Sequence, residues 1–333
     1  MISLENDRLE IRFPNIAIDA GIHIDFQRTL RIPDDGRDHF LPPGLGRFPL
    51  RHVEDCALGG LEHRKARGGI VMPIFQTDAL WLNFGSFGGL YPKLPVALKI
   101  GAGKINAVSG LRWAEGLSQD PQDYVVLPGQ PWLDGFNTGR RTVRQFVAAP
   151  LGEGYTVEEQ IDPQSDVGGL QIEAIPMKKS RYAELIERYN REEREIRYCL
   201  RACASSAEMG LGMGGSMRQE IQEDEYGLDA WDLENRQRCF VMLANAQQWM
   251  AMTGEAPPLS PISAREYSKA GLPWFDYYDG DRKAIEGARA LGRIKTVKTL
   301  SQRLRAGIWP EDGPLPAPKV KTISPHKVKD GSW

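Results

Sequence analysis

The chain has 333 residues and a formal net charge of -2, and 41% of its residues are hydrophobic, as is typical of a globular protein. A nearly neutral chain has no overall attraction for nucleic acid or anionic lipid, so neither is an expected partner. The N-terminus is charged from Glu5 onward, unlike a secretory signal, and no apolar run approaches the ~18 residues of a membrane helix. We therefore expect a soluble cytoplasmic protein.

The N-terminal half of the chain predicts β-structure. Between Ile22 and Ile32 apolar residues occupy the even positions and polar residues the odd ones, apart from Arg28, as in a strand with one solvated face. Further short β-like runs lie at residues 9–13, 70–75, 79–84, 96–100, 104–108, 124–127, 142–148, 156–161 and 170–175. Their regular spacing, with glycine or proline between them, favours an antiparallel sandwich or barrel over a parallel sheet.

A long amphipathic helix is predicted after these strands. From Ser180, the expected N-cap, to about Cys203, apolar residues recur at spacings of three and four with charges between them. Cys199 and Cys203 lie on its apolar stripe. Since no second pair of ligands accompanies them, buried thiols are favoured over a metal site, and we predict no metal.

The stretch GLGMGG at residues 210–215 fits the spacing G-x-G-x-x-G of a dinucleotide-binding loop. That motif requires a strand before its first glycine and a helix after its last, whereas here a helix precedes it and a strand-like segment follows. We therefore predict no nucleotide cofactor, and no other cofactor. Glycines also end helices and permit close backbone approach, so we expect a helix terminator and hinge. The predicted hinge residues are Gly210, Gly212, Gly214 and Gly215.

The C-terminal part predicts mixed α/β structure. After the glycines, the segment SMRQEIQ at 216–222 could be a strand, and an acidic loop and the segment RCFVMLAN follow it. Helices are expected from Asn245 to about Thr253, after Ser263, and from Asp281 to about Leu291. The overall class is α+β, with a β-rich region at 1–178, a helix-containing α/β region packed on it at 179–308, and a tail at 309–333. Because no linker-like stretch separates the first two regions, we favour one compact unit over two independent domains.

The tail at 309–333 is rich in proline and lysine and cannot build a core of its own. We expect it to be held against the body of the protein or against a neighbouring subunit. The second possibility favours a homo-oligomer that is joined through this C-terminal arm.

Cysteine chemistry is one possible source of activity. His52 stands four residues before Cys56 in a segment crowded with charged side chains. A histidine at that spacing on a helix could act as the base for a nucleophilic thiol. The alternative is a solvated charged turn.

Three loops combine proline, glycine and large aromatic residues, at 41–50, 127–136 and 271–280. Aromatic side chains on rigid turns can stack a ligand or a partner, or they can close the ends of a sandwich. The candidate binding residues in these loops are Trp132, Trp274, Tyr277 and Tyr278. Asp276 and Asp279 lie beside them, as in the carboxylate sites of glycoside hydrolases.

These patterns lead to two hypotheses. The first is a self-associating scaffold or binding protein that uses its proline- and aromatic-rich loops, with the tail as an intersubunit arm. The second is an enzyme of unknown reaction, such as a hydrolase that uses aspartate or glutamate carboxylates in a cleft. The familiar local signatures of hydrolases, kinases and P-loop proteins do not occur.

Overall fold

The computed structural model shows a mostly β-sheet protein with three sheets and a few short helices. The residues that it describes are 1–57, 67–89, 91–163, 165, 167–192, 210–277, 283–304, 315–317 and 319–323. The α+β, β-rich class expected from the sequence is confirmed at this coarse level.

The strands in chain order are β1 Ile2–Leu4, β2 Leu9–Arg12, β3 Gly21–Thr29, β4 Asp38–His39, β5 Gly44–Arg47, β6 Arg51–His52, β7 Ile70–Pro73, β8 Ala79–Phe87, β9 Val96–Ala102 and β10 Ile105–Asn106. They continue with β11 Val125–Leu127, β12 Trp132–Leu133, β13 Gly135–Gly139, β14 Thr142–Ala149, β15 Leu170–Pro176, β16 Gly210–Arg218, β17 Gln237–Ala244, β18 Pro273–Tyr277 and β19 Lys319–Ile323. The α-helices are α1 Val157–Ile161, α2 Lys179–Glu192, α3 Ala246–Thr253, α4 Ala264–Lys269, α5 Arg289–Gly292 and α6 Val297–Leu304, and short 3-10 helices lie at Val53–Asp55 and Leu228–Ala230.

Ten strands form the largest sheet, in the order β1-β2-β3-β8-β14-β16-β4, with β5, β12 and β13 paired beside β3, β8 and β14. A second sheet has seven strands in the order β10-β9-β15-β17-β7-β6, with β11 beside β9. Most pairs are antiparallel, and the parallel ones are β16 with β4, β17 with β7, and β18 with β19.

The two large sheets contribute side chains to one hydrophobic core. Ile24 and Leu82 enter it from the first sheet, and Leu98 and Ile172 enter it from the second. The alternation of the N-terminal strands produces this arrangement, because every second side chain of a strand points to the same face. Strands β16 and β17 come from the C-terminal region, so both large sheets combine strands from the two halves of the chain. The division into regions 1–178, 179–308 and 309–333 stays a prediction.

Within the described residues, the predicted long helix is present as α2, Lys179–Glu192, with 14 residues. The rest of the predicted helix, with Cys199 and Cys203, lies outside the described residues. Helix α2 begins at Lys179, one residue before the expected cap Ser180.

The glycine-rich stretch is a strand, which corrects the prediction of a helix-terminating turn. Strand β16 pairs with β14 from Thr142↔Arg218 to Ala149↔Gly210. At Gly212 an added Cβ would lie 2.5 Å from Cγ1 of Val297 on α6. At Gly215 it would lie 2.3 Å from the backbone oxygen of Pro33. Close approach of neighbouring groups therefore accounts for these two glycines, and the hinge role stays a prediction.

Two further elements differ from expectation. Residues 156–161 form helix α1 instead of a strand, with Thr156 and Glu159 in a capping box. The helix expected from Asp281 begins only at Arg289, and residues 283–288 are not helical.

The helices expected after Asn245 and Ser263 are confirmed. Both residues are N-caps whose side chains accept a hydrogen bond from the backbone three residues on.

Part of the C-terminal tail is held by the body of the protein. Strand β19 pairs in parallel with β18, from Pro273↔Lys319 to Tyr277↔Ile323. The side chains at positions 319–322 are exposed, so few apolar contacts hold this strand. An interaction of the tail with a second subunit stays a prediction.

Candidate functional site

A patch of polar and aromatic side chains covers part of the ten-stranded sheet on the face opposite the core. Three cross-strand pairs between β3 and β8 build it: His23 with Gly85, Asp25 with Asn83, and Gln27 with Trp81. Strand β12 extends the middle pair, because Trp132 stands opposite Asn83. We call these residues, with Arg8, Arg47 and Asp134, the outer patch.

Asp25 is the centre of the outer patch and is fully buried. Its two carboxylate oxygens accept hydrogen bonds from Nε and Nη2 of Arg8, at 2.8 and 3.1 Å. The Nε atom of Arg47 lies 3.4 Å from Oδ1, and Nδ2 of Asn83 donates to Oδ2 at 3.2 Å. One carboxylate thus holds two arginines that are only partly exposed, a geometry that stabilises a buried charge.

His23 lies beside this centre, with Nε2 4.0 Å from Oδ2 of Asp25. Its ring occupies the space above Gly85, where an added Cβ would lie 2.4 Å from the ring atoms. The ring also stacks with Phe87, with a centroid distance of 6.4 Å. Gly85 is therefore required for the position of the imidazole.

Gln27 and Trp81 face each other next to the buried aspartate. Oε1 of Gln27 and Nε1 of Trp81 are buried and have no hydrogen-bond partner among the described residues. The Gln27 residue is 2% exposed, whereas Trp81 is only partly buried. An unsatisfied acceptor and an unsatisfied donor therefore lie in adjacent positions of the outer patch, and such groups are rare in protein interiors.

Trp132 is held in the outer patch by hydrogen bonds to both its indole and its backbone. Its Nε1 donates to Oδ2 of Asp134 at 2.6 Å, and its backbone oxygen accepts from the side chains of Gln130 and Gln219. Asp134 is 5% exposed, and this burial raises its pKa to about 7. The half-buried indole of Trp132 is therefore hydrogen-bonded to a carboxyl group whose pKa is about 7.

Trp132 and the other aromatic candidates from the sequence lie in different environments. The 127–136 loop forms strand β12 and places Trp132 in the outer patch. Trp274 is 1% exposed on β18, where its Nε1 donates to Oγ of Ser268, so it packs in the core. Asp276 lies on the same strand and is partly buried. Tyr278, Asp279 and the side chain of Tyr277 lie outside the described part of the chain.

Cys56 packs in a small buried cluster with Val53, Val71 and Trp249. Its Sγ donates to the backbone oxygen of His52 at 3.3 Å, and the His52 residue is exposed. The contact between the two residues is therefore made by a carbonyl group. A catalytic thiol–imidazole pair stays a prediction.

The sequence indicated Trp132 but not the rest of the outer patch. His23, Asp25 and Gln27 occupy the odd positions of β3, which the alternation predicted to face water, yet all three are buried. Arg8, just before β2, and Arg47, on β5, cover them from one edge of β3. The signal for this burial was weak, because a strand with one solvated face and a strand with a buried polar row have the same pattern.

The seven-stranded sheet also carries a row of charged side chains, and most of them are paired with a side chain of opposite charge. Lys99, Glu173 and Arg238 are aligned across β9, β15 and β17. Nζ of Lys99 contacts Oδ2 of Asp123 at 2.7 Å, and Nη2 of Arg238 contacts Oε1 of Glu173 at 2.6 Å. Most of these polar atoms are paired, the exception among the described residues being Oε2 of Glu173, and we assign the row to stability.

Within the described ranges, no three histidine, cysteine, aspartate or glutamate side chains come together as metal ligands. In the same part of the chain, the helices are all too short or too polar to cross a membrane. Comparison of the chain with protein-family models, curated proteins and solved structures finds no match.

Proposed function

We propose that the protein is a binding protein whose outer patch takes a ligand with an apolar face and neutral polar groups, the chemistry of a saccharide. The single observation that carries this proposal is the grouping of two half-buried tryptophans with a row of planar polar side chains on one face of the ten-stranded sheet. This proposal develops the binding-protein hypothesis drawn from the sequence and assigns its binding surface to the ten-stranded sheet.

The two indoles provide the stacking surface. Trp132 stands opposite Asn83, and Trp81 stands two residues from Asn83 on the same face of β8. Diagonal neighbours of this kind lie about 7–8 Å apart, within reach of large aromatic side chains. A sugar ring presents C–H groups on one face, and an indole plane is a suitable contact for that face.

The polar row provides hydrogen bonds of fixed direction. Gln27 Oε1 is an acceptor and Trp81 Nε1 is a donor; both are buried and unsatisfied among the described residues, so a ligand reaches them only when the side chains that cover them move. The hydroxyl groups of a saccharide both donate and accept, so they match such a mixed set.

The bonding of Asp25 favours binding over hydrolysis. Its carboxylate is fully buried, accepts hydrogen bonds from Arg8 and Asn83, and contacts Arg47. Hydrolysis of a glycosidic bond requires a pair of carboxyl groups that reach the substrate. The enzyme alternative from the sequence therefore draws less support from Asp25.

The test is a binding screen on immobilised neutral saccharides, followed by calorimetric titration of any that bind. We expect Trp132→Ala to weaken binding at least roughly tenfold, since stacking on an indole contributes more than 1 kcal/mol. Tyr91→Ala is the matched control, because Tyr91 is 53% exposed and contacts Tyr189 on α2, away from the outer patch. Absence of any saccharide binding, or equal binding by the Trp132 variant, would refute the proposal.

A further inference from the structure

The indole of Trp132 is held by an unusual partner. Its Nε1 donates to a carboxyl oxygen of Asp134 at 2.6 Å, two residues further along the chain. Gln219 fixes the backbone between them, because its Oε1 accepts from the Asp134 N–H at 2.9 Å and its Nε2 donates to the Trp132 carbonyl at 3.2 Å. The backbone is therefore fixed by amide groups that do not titrate, whereas the indole N–H is hydrogen-bonded to the carboxyl group.

We propose that Asp134 is a positioning residue for ligand binding, whose carboxylate orients the Trp132 indole so that the strength of binding follows the protonation state of that carboxylate. This inference rests on the proposed function, since the ligand is the one assigned to the outer patch. The ionised carboxylate accepts a charge-assisted hydrogen bond, which is stronger than the bond to a neutral carboxylic acid. Protonation therefore loosens the indole.

Asp134 titrates close to physiological pH because burial is the main influence on it. Burial raises its pKa, and the hydrogen bond from Trp132 opposes this effect only in part. The charged and titratable groups on the elements packed against it are Arg144 on β14, Arg218 on β16, the paired Arg141 and Glu220, and, two strands away, the Asp25 centre with His23.

Preorganisation links this bond to affinity. A ligand that stacks on a fixed indole does not have to order it, whereas a ligand that stacks on a loosened indole loses part of its binding free energy to that ordering. We expect binding to be roughly fivefold tighter above pH 8 than below pH 6, the ratio set by the difference between a charge-assisted and a neutral hydrogen bond.

The indole proton of Trp132 reports on this bond without any ligand. We would label the protein with ¹⁵N, assign the Trp132 Nε1–H signal with Trp132→Phe, and follow it from pH 5 to 9. The expected result is a downfield shift of the indole proton on deprotonation, with a midpoint near pH 7. In Asp134→Asn the oxygen remains an acceptor, so the signal should persist without that titration. His23→Gln is the control for the other titratable group of the outer patch, and it should leave the titration in place.

The ligand measurement is a second, separate step. With a saccharide from the screen, the wild type should lose affinity as the pH falls through 7, whereas Asp134→Asn should bind with equal strength at pH 6 and 8. An indole signal that does not titrate between pH 6 and 8, or that titrates equally in Asp134→Asn, overturns the inference. If the indole titrates but no saccharide binds, the proposed function fails while the proton-dependent contact stands.

Discussion

Replacement of Glu158 by glutamine tests the energetic consequences of a buried carboxyl group. Glu158 lies on helix α1 and is 0% exposed, and neither of its carboxyl oxygens has a hydrogen-bond partner of normal geometry among the described residues. The space above it is closed, because a Cβ added at Gly103 would lie 2.5 Å from its Cγ. The helix cannot easily turn it outward, since Thr156 and Glu159 fix the first turn.

Burial raises the pKa of Glu158 to about 8 from its ordinary value of 4.5, and the neighbouring Glu159 contributes in the same direction. Between these two values the folded protein keeps the proton while the unfolded chain releases it, so stability falls as the pH rises and levels off above 8. A rise in pKa from 4.5 to about 8 corresponds to a loss of about 5 kcal/mol of stability over the whole interval.

The assay is urea denaturation of wild type and Glu158→Gln at intervals from pH 5 to 9. The free energy of unfolding of the variant, relative to wild type, should increase by several kcal/mol between pH 5 and 8, because the amide cannot ionise. Contributions of other titrating groups cancel in this difference. Glu153→Gln, at an exposed position just before the same helix, should give a constant difference. A difference for Glu158→Gln that is equally constant would show that the carboxyl group does not stay protonated in the fold.

Three other predictions concern packing, a buried hydrogen bond and assembly. Gly212→Ala should destabilise the protein by about 1–3 kcal/mol in denaturant titrations by overpacking against Val297, and Val297→Ala in the same chain should recover much of that loss. Tyr124→Phe should cost about 1–3 kcal/mol in the same assay, since it removes the 2.5 Å hydrogen bond from the tyrosine hydroxyl to buried Asp224. If the tail joins subunits, a chain that ends at Ala306 should have a lower association state by light scattering. An unaltered association state would refute the role of the tail as an intersubunit arm.

Local signals in the sequence were sufficient for the strands and for the short helices with clear caps. Asn245 and Ser263 are followed by Gln248 and Glu266 at the third helical position, so both helix starts could be predicted. The same signature is present at Thr156, but the alternating residues after it also resemble a strand. Periodicity alone does not distinguish a helix from a strand in a segment of only six residues.

The glycine-rich strand and the outer patch could not be predicted from local patterns. The neighbours that require Gly212 and Gly215 are Val297 and Pro33, which are distant in the sequence. Glycine has low strand propensity, so its presence in β16 is a consequence of tertiary packing. Likewise, Asp25 is buried because Arg8 and Arg47 reach it from other strands, and the pattern of β3 alone does not contain that information.

Glu158 and Asp134 are both buried carboxyl groups with raised pKa values. We assign them different roles because their neighbours differ. Glu158 is enclosed beneath Gly103, so its ionisation affects stability and reaches no binding surface. Asp134 contacts Trp132, whose indole is partly exposed. Ionisation of Asp134 can therefore change the orientation of an aromatic ring that a ligand contacts. Glu158→Gln should therefore alter the pH dependence of unfolding and leave the Trp132 indole titration intact. Asp134→Asn should alter both, and that contrast separates a functional carboxyl group from a merely buried one.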